Sequence, residues 1–520
     1  MNRAEPLVVF RCDASAAIGT GHLMRGLSLA RALRQLGARC HFVVRAAGVD
    51  VAAPVHAAGF PCLMLPMAAP AAGQAAAAHA ETAHAAWLGT SQAGDARDTL
   101  QALSDAQLAQ PDWLVADHYA IDARWHRQMR AALGCRIVAI DDLGDRPLDV
   151  ELLVDPNLHA DHRVKYGAHL DPSARLLGGA RFSLLGPAYV GLEPMQVRDE
   201  VASIGIFMGG SDPQDLSSMV WQACRRHAGF SGRIEIAATR ANPHLERLQA
   251  LTRQDRDTTL AVDLPDLCGF FTRHDLQIGA AGGATWERCC AGAPMVLIQA
   301  AGNQATVMRE VAARDAAEVV ATAGCDPAVA VGAAVRALLG NGLRRRELAR
   351  HARALVDGLG ACRVAAALLA PGVVLRPAGV RDSLRSFAWR NDPSTRRFSR
   401  DPQPIDPAAH ERWWARAVHD PSRRLFIAHI GALDVGVLRL DLDSAGEKAE
   451  VSIYLDPALT GLGLGPQLLR ALQHWTRAHT RLQRLLATIL PDNAASMRIF
   501  AAAGFTPGEP HWTWPVDASA

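Results

Sequence analysis

The stretch Leu7-Val8-Val9-Phe10-Arg11-Cys12-Asp13-Ala14-Ser15-Ala16-Ala17-Ile18-Gly19-Thr20-Gly21-His22 decides how the amino-terminal half is read. Leu7 to Arg11 has the short, mostly apolar pattern of a buried strand. The chain then turns through Gly19 and Gly21 and enters a helix from about His22. A strand, a glycine turn and a helix in that order leave free N–H groups at a helix start, and glycine lets the backbone approach a phosphate closely. Tight turning alone also explains glycines in such a connection. His22 sits where an imidazole is easily kept neutral and can accept a proton. Asp13, at the strand end, is placed to orient it.

Working outward, the same alternation recurs. Strand patterns at Cys40 to Arg45, Trp113 to Ala116 and Arg136 to Ile140 are followed by a second series at Ile204 to Met208, Ile234 to Ala237, Leu276 to Gly279 and Met295 to Ile298. Such βα series predict doubly wound parallel sheets, so the fold class is α/β, with two Rossmann-like domains and ligands held between them. A helical run from Leu343 to Ala370 stops at Pro371 and Gly372. Beyond it the composition shifts: all ten cysteines lie at or before Cys362, and six of the eleven tryptophans follow it. At roughly 150 residues per domain, 520 residues suit three or four units. The expected borders are 1–195, 196–370 and 371–520. The alanine-rich segment Ala68 to Ala86 reads as a helix or a low-complexity insert with little chemical information.

Composition excludes several classes. Hydrophobic residues make up 49% and charged residues 20%, too apolar for disorder. With 54 Lys and Arg against 52 Asp and Glu, the net charge of +2 points to neither nucleic acid nor an anionic membrane as partner. No stretch approaches the roughly 20 uninterrupted apolar residues of a membrane span, and the first ten residues lack the core of a signal peptide. A cytoplasmic protein with reduced cysteines is expected, and the oligomeric state is left open.

Several blocks in order carry a resemblance: Arg11-Cys12-Asp13-Ala14-Ser15, Ile18-Gly19-Thr20-Gly21-His22-Leu23-Met24-Arg25, Ala116-Asp117-His118-Tyr119, Ile140-Asp141-Asp142-Leu143, Gly209-Gly210-Ser211-Asp212-Pro213, Gly282-Gly283-Ala284-Thr285-Trp286-Glu287-Arg288-Cys289-Cys290 and Gly302-Asn303-Gln304. Together they resemble the UDP-sugar hydrolases of pseudaminic acid biosynthesis, which are similar to GT-B glycosyltransferases. The resemblance implies metal-free hydrolysis of UDP-2,4-diacetamido-2,4,6-trideoxy-β-L-altropyranose, with His22 catalytic and Tyr119 and Asn303 contacting substrate. Gln304 belongs to the same candidate substrate site, as do Gly19 and Gly21. A base such as neutral His22 suits water attack at an anomeric carbon, and a single displacement inverts that centre.

In the second domain, Gly282, Gly283 and Thr285 lie between a strand and a helix, where N–H groups meet a diphosphate. Glu287 is expected on the ribose, as the GT-B resemblance implies, or is an acid favoured in a first helical turn. Gly209, Gly210 and Ser211 are placed against phosphate or sugar, with a turn and Asp212 as helix cap as the plainer reading. Asp141 and Asp142 form no metal site, since neighbours on a strand point to opposite faces and no further ligands cluster with them.

The last third carries Thr460-Gly461-Leu462-Gly463-Leu464-Gly465 between a strand ending near Leu455 and a helix starting near Pro466. With Asn493-Ala494-Ala495-Ser496, Ala503-Gly504-Phe505, Trp389-Arg390-Asn391-Asp392 and His410-Glu411-Arg412-Trp413, it resembles the GNAT acetyltransferases, in particular their amino-sugar branch. The resemblance implies an α+β domain that binds acetyl-CoA through Gly461, Gly463, Gly465 and Asn493. Glu450 is the candidate base for the incoming amine. Thr460 and Phe500 depart from the family pattern, and Phe500 cannot protonate a departing thiolate. Trp413 and Trp414 are read as sugar pocket or as packing. The expected protein is bifunctional: it acetylates a UDP-4-amino-sugar and hydrolyses the diacetylated product. The alternative is a GT-B glycosyltransferase fused to a CoA-binding module without catalysis.

Overall fold

The computed structural model describes residues 5–15, 18–45, 50–67, 82–321 and 326–516. The chain divides into two compact units, one of Met1–Arg34 and Ala38–Cys362 and one of Gln35–Gly37 and Arg363–Ala520. The division falls within the helix Gly360–Leu369, ahead of the Pro371 border expected from composition.

The first unit holds two sheets. One contains β1 (Leu7–Cys12), β2 (Arg39–Arg45), β3 (Cys62–Leu65), β4 (Trp113–Asp117), β5 (Arg136–Ile140), β6 (Leu152–Asp155) and β7 (Arg175–Gly178) in the order β3-β2-β1-β4-β5-β6-β7. The other contains β8 (Ser203–Phe207), β9 (Arg233–Ala238), β10 (Thr258–Val262), β11 (Leu276–Ala280), β12 (Met295–Ile298) and β13 (Glu318–Val320) in the order β10-β9-β8-β11-β12-β13. Neighbouring strands in both sheets run parallel. Every residue of β1, β4, β11 and β12 is buried, as expected of parallel strands covered on both faces. Strand order reverses between β1 and β4 and again between β8 and β11. Connections there leave the sheet in opposite directions and open a crevice at the strands' carboxyl ends.

Beneath the first crevice lies a buried ionic network. The Arg11 guanidinium is fully buried between Asp13 (2.6 and 2.9 Å) and Asp95 (2.6 and 3.1 Å). Asp95, in the first turn of the helix Gln92–Asp105, also accepts from Arg45 at 2.9 Å and from the Trp125 indole at 3.1 Å. Beneath the second crevice, Arg288 donates to the Phe207 carbonyl at 2.7 Å and lies 4.8 Å from the Phe271 ring. A Cβ on Gly279 would fall 1.8 Å from that guanidinium, so β11 has room here for glycine alone.

The predicted helical run from Leu343 is two helices, Gly342–Leu355 and Gly360–Leu369. Gly358 separates them with φ +85°, and the Tyr189 carbonyl occupies the space of any Cβ there, 2.1 Å away. The stretch Gly342–Gly372 has the length and hydropathy to cross a membrane, yet 67% of its most apolar part is buried inside the protein, as in core helices of folded proteins. Most of the alanine-rich segment lies outside the described residues; its end, Ala85–Leu88, is a single 3₁₀ turn.

The second unit is built on β14 (Val374–Pro377), β15 (Arg423–Ile430), β16 (Leu433–Leu442), β17 (Lys448–Leu455), β18 (Arg484–Ala487) and β19 (Trp512–Pro515), paired in chain order. All pairs are antiparallel except β17 with β18, which the helix Leu464–His479 connects. Trp389 and Trp414, from the helices Ser383–Asn391 and Pro407–Ala417, form a core with Leu425, Ile427 and Val437 of the sheet. The fold class read from sequence, two Rossmann-like α/β domains followed by an α+β domain, is the one observed.

The Asp95 network yields a first test. Asp95→Ala leaves two buried guanidinium groups short of a counter-charge and should destabilise the first unit by about 3–5 kcal/mol, seen as a lower urea midpoint for its unfolding. An unchanged midpoint would show the network to be energetically neutral.

Candidate functional site

His22 lies in the first turn of the helix Gly21–Gln35, at the reversal between β1 and β4, and is 6% exposed. Its Nδ1 is 3.1 Å from the Asp117 carbonyl oxygen and 3.3 Å from an Asp117 carboxylate oxygen. Arg25, one helical turn on, donates two hydrogen bonds to that carboxylate, at 2.5 and 2.6 Å. Both groups facing Nδ1 are acceptors, so Nδ1 carries the ring proton and Nε2 keeps its lone pair. Burial pushes the His22 pKa down to about 4; Asp117 opposes the shift and Arg25 reinforces it. The imidazole is therefore neutral near pH 7.

Asp13 does not orient His22. Its carboxylate pairs with Arg11, accepts the Arg45 backbone N–H at 2.7 Å and lies 3.4 Å from His118 Nε2. Burial alone would raise its pKa, but Arg11 and His118 hold it well below the usual carboxylate range. Register explains the exchange: Cys12 is opposite Asp117 in the β1–β4 ladder, so Asp13 lies one residue further along and turns to the other face. The turn itself is closed by Ser15, whose carbonyl accepts from Gly19 N at 2.7 Å, with Gly19 at φ +75°.

Tyr119 is buried and meets His22 edge-on, with ring centroids 4.6 Å apart. His84, at the end of the alanine-rich segment, and Trp87, just beyond it, approach the same tyrosine at 5.5 and 6.0 Å. The Tyr119 hydroxyl donates to Asp142, whose other oxygen accepts from Asn157 Nδ2 at 2.8 Å. Asn157 Oδ1 in turn accepts from the Trp286 indole of the second sheet's domain at 2.9 Å. Asp141 and Asp142 lie just past β5, not on it: Asp141 pairs with Arg146, while Asp142 faces Tyr119. Among the described residues, no cluster of three or more His, Cys, Asp or Glu is arranged to hold a metal ion.

In the second sheet, Gly209, Gly210 and Ser211 follow β8, and Gly282 and Gly283 follow β11, so both glycine turns flank the strand-order reversal. Asp212 is not the N-cap, a position that Asp215 occupies at φ +55°, but its carboxylate accepts from the N–H groups of Leu216 and Ser217 at 2.9 and 2.8 Å at the start of their helix. Thr239 ties Gly210 down through its carbonyl at 2.8 Å. Gln304 lies against Gly282 and accepts from Ala300 N at 2.8 Å, and Asn303 beside it is exposed. The buried Thr285 hydroxyl has no hydrogen-bond partner among the described residues. Glu287 accepts from the Tyr189 hydroxyl at 3.0 Å, and burial pushes its pKa up to about 7.

In the second unit, β17 and β18 pair only from Lys448–Arg484 to Glu450–Leu486. From Val451 onward β17 keeps β16 on one side and, among the described residues, has no strand on the other. Glu450 sits at this parting, where it accepts from Thr488 at 2.8 Å and pairs with Arg400. Gly461 and Gly463 have φ +81° and +68°, and Gly463 opens the helix Leu464–His479, which contains Gly465. Asn493 caps the helix Ala494–Ala502 by accepting from Ser496 N at 3.0 Å. Phe500 is buried against Phe505. Trp414 is core, its indole donating to the Gly379 carbonyl, whereas Trp413 is partly exposed beside Arg423 and Arg439. Arg390 went unread as a site residue: its Nη1 is buried without a hydrogen-bond partner, near Tyr454 and Arg439, and burial lowers its pKa.

The Acetyltransferase (GNAT) domain family model matches residues 373–506. This part of the chain is a GNAT acetyltransferase domain. Among solved structures, aminoglycoside acetyltransferase AAC(6')-Ib in complex with coenzyme A is similar over 28% of this chain and 94% of its own, at 18% identity and TM-score 0.25. Spermidine N-acetyltransferase from Vibrio cholerae in complex with CoA and spermine is similar over 28% and 93%, at 15% identity and TM-score 0.25. MurG of Acinetobacter baumannii is similar over 69% of this chain and 98% of its own, at 14% identity and TM-score 0.48. No curated protein matches the chain.

A depressed His22 pKa has a definite sign. The folded state favours the neutral ring, so the associated stability is complete above the ordinary value of 6.5 and is lost as pH falls from 6.5 through about 4. NMR titration of the His22 ring should show it still neutral at about pH 5.5. A midpoint at or above the ordinary value would refute the buried, Asp117-held geometry.

Proposed function

We propose that the first unit is a GT-B-type hydrolase of UDP-2,4-diacetamido-2,4,6-trideoxy-β-L-altropyranose and that the GNAT domain acetylates the UDP-4-amino-sugar that precedes it. The observation that carries the hydrolase reading is the His22 tautomer. Nδ1–H is committed to Asp117, leaving Nε2 as a base at the crevice. A water there loses its proton to Nε2 as its oxygen bonds to the anomeric carbon. The carbon–oxygen bond to UDP breaks, and its electron pair stays on the diphosphate. The anomeric centre inverts in this single displacement. The start of the helix that follows Gly282 and Gly283 suits the diphosphate, and Glu287, its pKa near neutrality, suits a ribose hydroxyl. An anionic diphosphate nearby also raises the proton affinity of His22 when the base is needed.

For the GNAT domain, the free side of β17 offers backbone groups to the amide-bearing arm of acetyl-CoA, and the N–H groups after Gly461 and Gly463 suit its pyrophosphate. Glu450 takes the amine proton as the nitrogen attacks the thioester carbonyl. The thioester carbon–sulfur bond then breaks, and the thiolate leaves with its electron pair. Arg390 supports a nucleotide-linked acceptor: a guanidinium whose buried Nη1 has no hydrogen-bond partner suits an anionic amine substrate and repels a polycation.

UDP release from the diacetamido sugar, measured without any acceptor, tests the first activity. His22→Asn should lower kcat at least about a hundredfold while calorimetric UDP affinity stays within a few fold, because the loss falls on the chemical step. Release that strictly requires a second sugar would establish a glycosyltransferase instead.

Acetylation of UDP-4-amino-sugars tests the second. Arg390→Ala should raise KM for the nucleotide sugar about tenfold or more and leave KM for acetyl-CoA unchanged. Equal effects on both substrates would remove Arg390 from the acceptor site, and CoA binding without turnover on any amine would favour a non-catalytic module.

A further inference from the structure

We infer that Asn157 and Trp286 are positioning residues that set His22 through Asp142 and Tyr119, so that the domain carrying the second glycine turn aligns the base on the first. The inference rests on the hydrolase reading of His22. The path is continuous. The Trp286 indole N–H donates to Asn157 Oδ1 at 2.9 Å, Asn157 Nδ2 donates to one Asp142 oxygen at 2.8 Å, and the Tyr119 hydroxyl donates to the other. The Tyr119 and His22 rings then meet edge to face, with 73° between their planes.

Donor and acceptor chemistry explains the residue types. An indole N–H can only donate and a carboxylate can only accept, so the side chain between them must accept at one atom and donate at another. Asparagine does this in one fixed orientation; aspartate would set two carboxylates together and leucine would bridge nothing. The main chain of Asn157 is also pinned. Its N–H donates to Asp155 at 3.0 Å and its carbonyl accepts from His162 Nε2 at 2.9 Å. Lys165 Nζ holds the neighbouring anchors, at 2.6 Å from an Asp155 oxygen and 2.7 Å from the Asp142 carbonyl.

At its other end, Trp286 is 2% exposed in the first turn of the helix Ala284–Ala291, and its backbone N–H donates to the Gly283 carbonyl at 3.1 Å. Any diphosphate held at the start of that helix therefore lies within one turn of the residue that starts the path. Because Tyr119 spends its hydroxyl on Asp142, it acts on His22 through its ring, as a wall against which the imidazole is set.

The test is a double-mutant cycle on full-length protein, with Trp286→Phe, Tyr119→Phe and the pair together, read as kcat for UDP release alongside calorimetric UDP binding. Each single variant should lose about tenfold in kcat at near-normal UDP affinity, and the pair should lose little more than either alone, as expected when two residues act through one path. Asn157→Ser, which shortens the bridge without touching the helix, should match Trp286→Phe and serves if that variant fails to fold. Losses that multiply in the pair, or singles with wild-type kcat, overturn the inference while leaving the hydrolase reading intact. Wild-type protein that releases no UDP overturns both.

Discussion

The contact between His22 and Asp117 is the constraint on which the first unit's site depends. Asp117 ends β4 and His22 begins the helix after β1, so the contact exists only because those two strands lie side by side at the point where strand order reverses. One aspartate serves the ring through both its carbonyl and its carboxylate, and Arg25 neutralises the carboxylate so that it need not draw a second proton onto the histidine. Burial then keeps the ring uncharged. Tautomer, protonation state and position all follow from this one junction.

The two units interrupt their sheets by different routes. In the parallel sheets, connections diverge at the reversal and leave strand ends uncovered, with glycine where the backbone must turn. In the third sheet, a single parallel pair is set among antiparallel ones, and β17 and β18 part after three paired positions. Charge also separates the candidate sites: the first gathers a neutral imidazole and a carboxyl whose pKa burial raises, whereas in the second Glu450 is held by Arg400 and Thr488.

The sequence was most readable where burial is greatest. Strands such as β1, β5 and β12 stand out as short apolar runs because both of their faces are covered, and the glycine turns stand out by composition. The shorter strands β3, β6, β7 and β13 carry three or four ladder positions each and leave little pattern. Asp13 and Asp117 show where reading along the chain fails. Each is an aspartate at a strand end, and which one meets His22 is decided by register between strands about a hundred residues apart, information that no local pattern holds. The same applies to Asn157 and Trp286, separated by 129 residues. Arg390 lay within a recognised motif, but a buried Nη1 without a hydrogen-bond partner is visible only once its surroundings are known.

The hydrogen bonds that run from Trp286 to Tyr119 all point inward: the indole gives to the amide, the amide gives to Asp142, and the phenol gives to Asp142 from the opposite side. With both ends donating into the same carboxylate, no sequence of proton hops can pass through it from one end to the other. The assembly is a strut and not a wire. It carries geometry between the two Rossmann-like domains of the first unit without carrying protons between them.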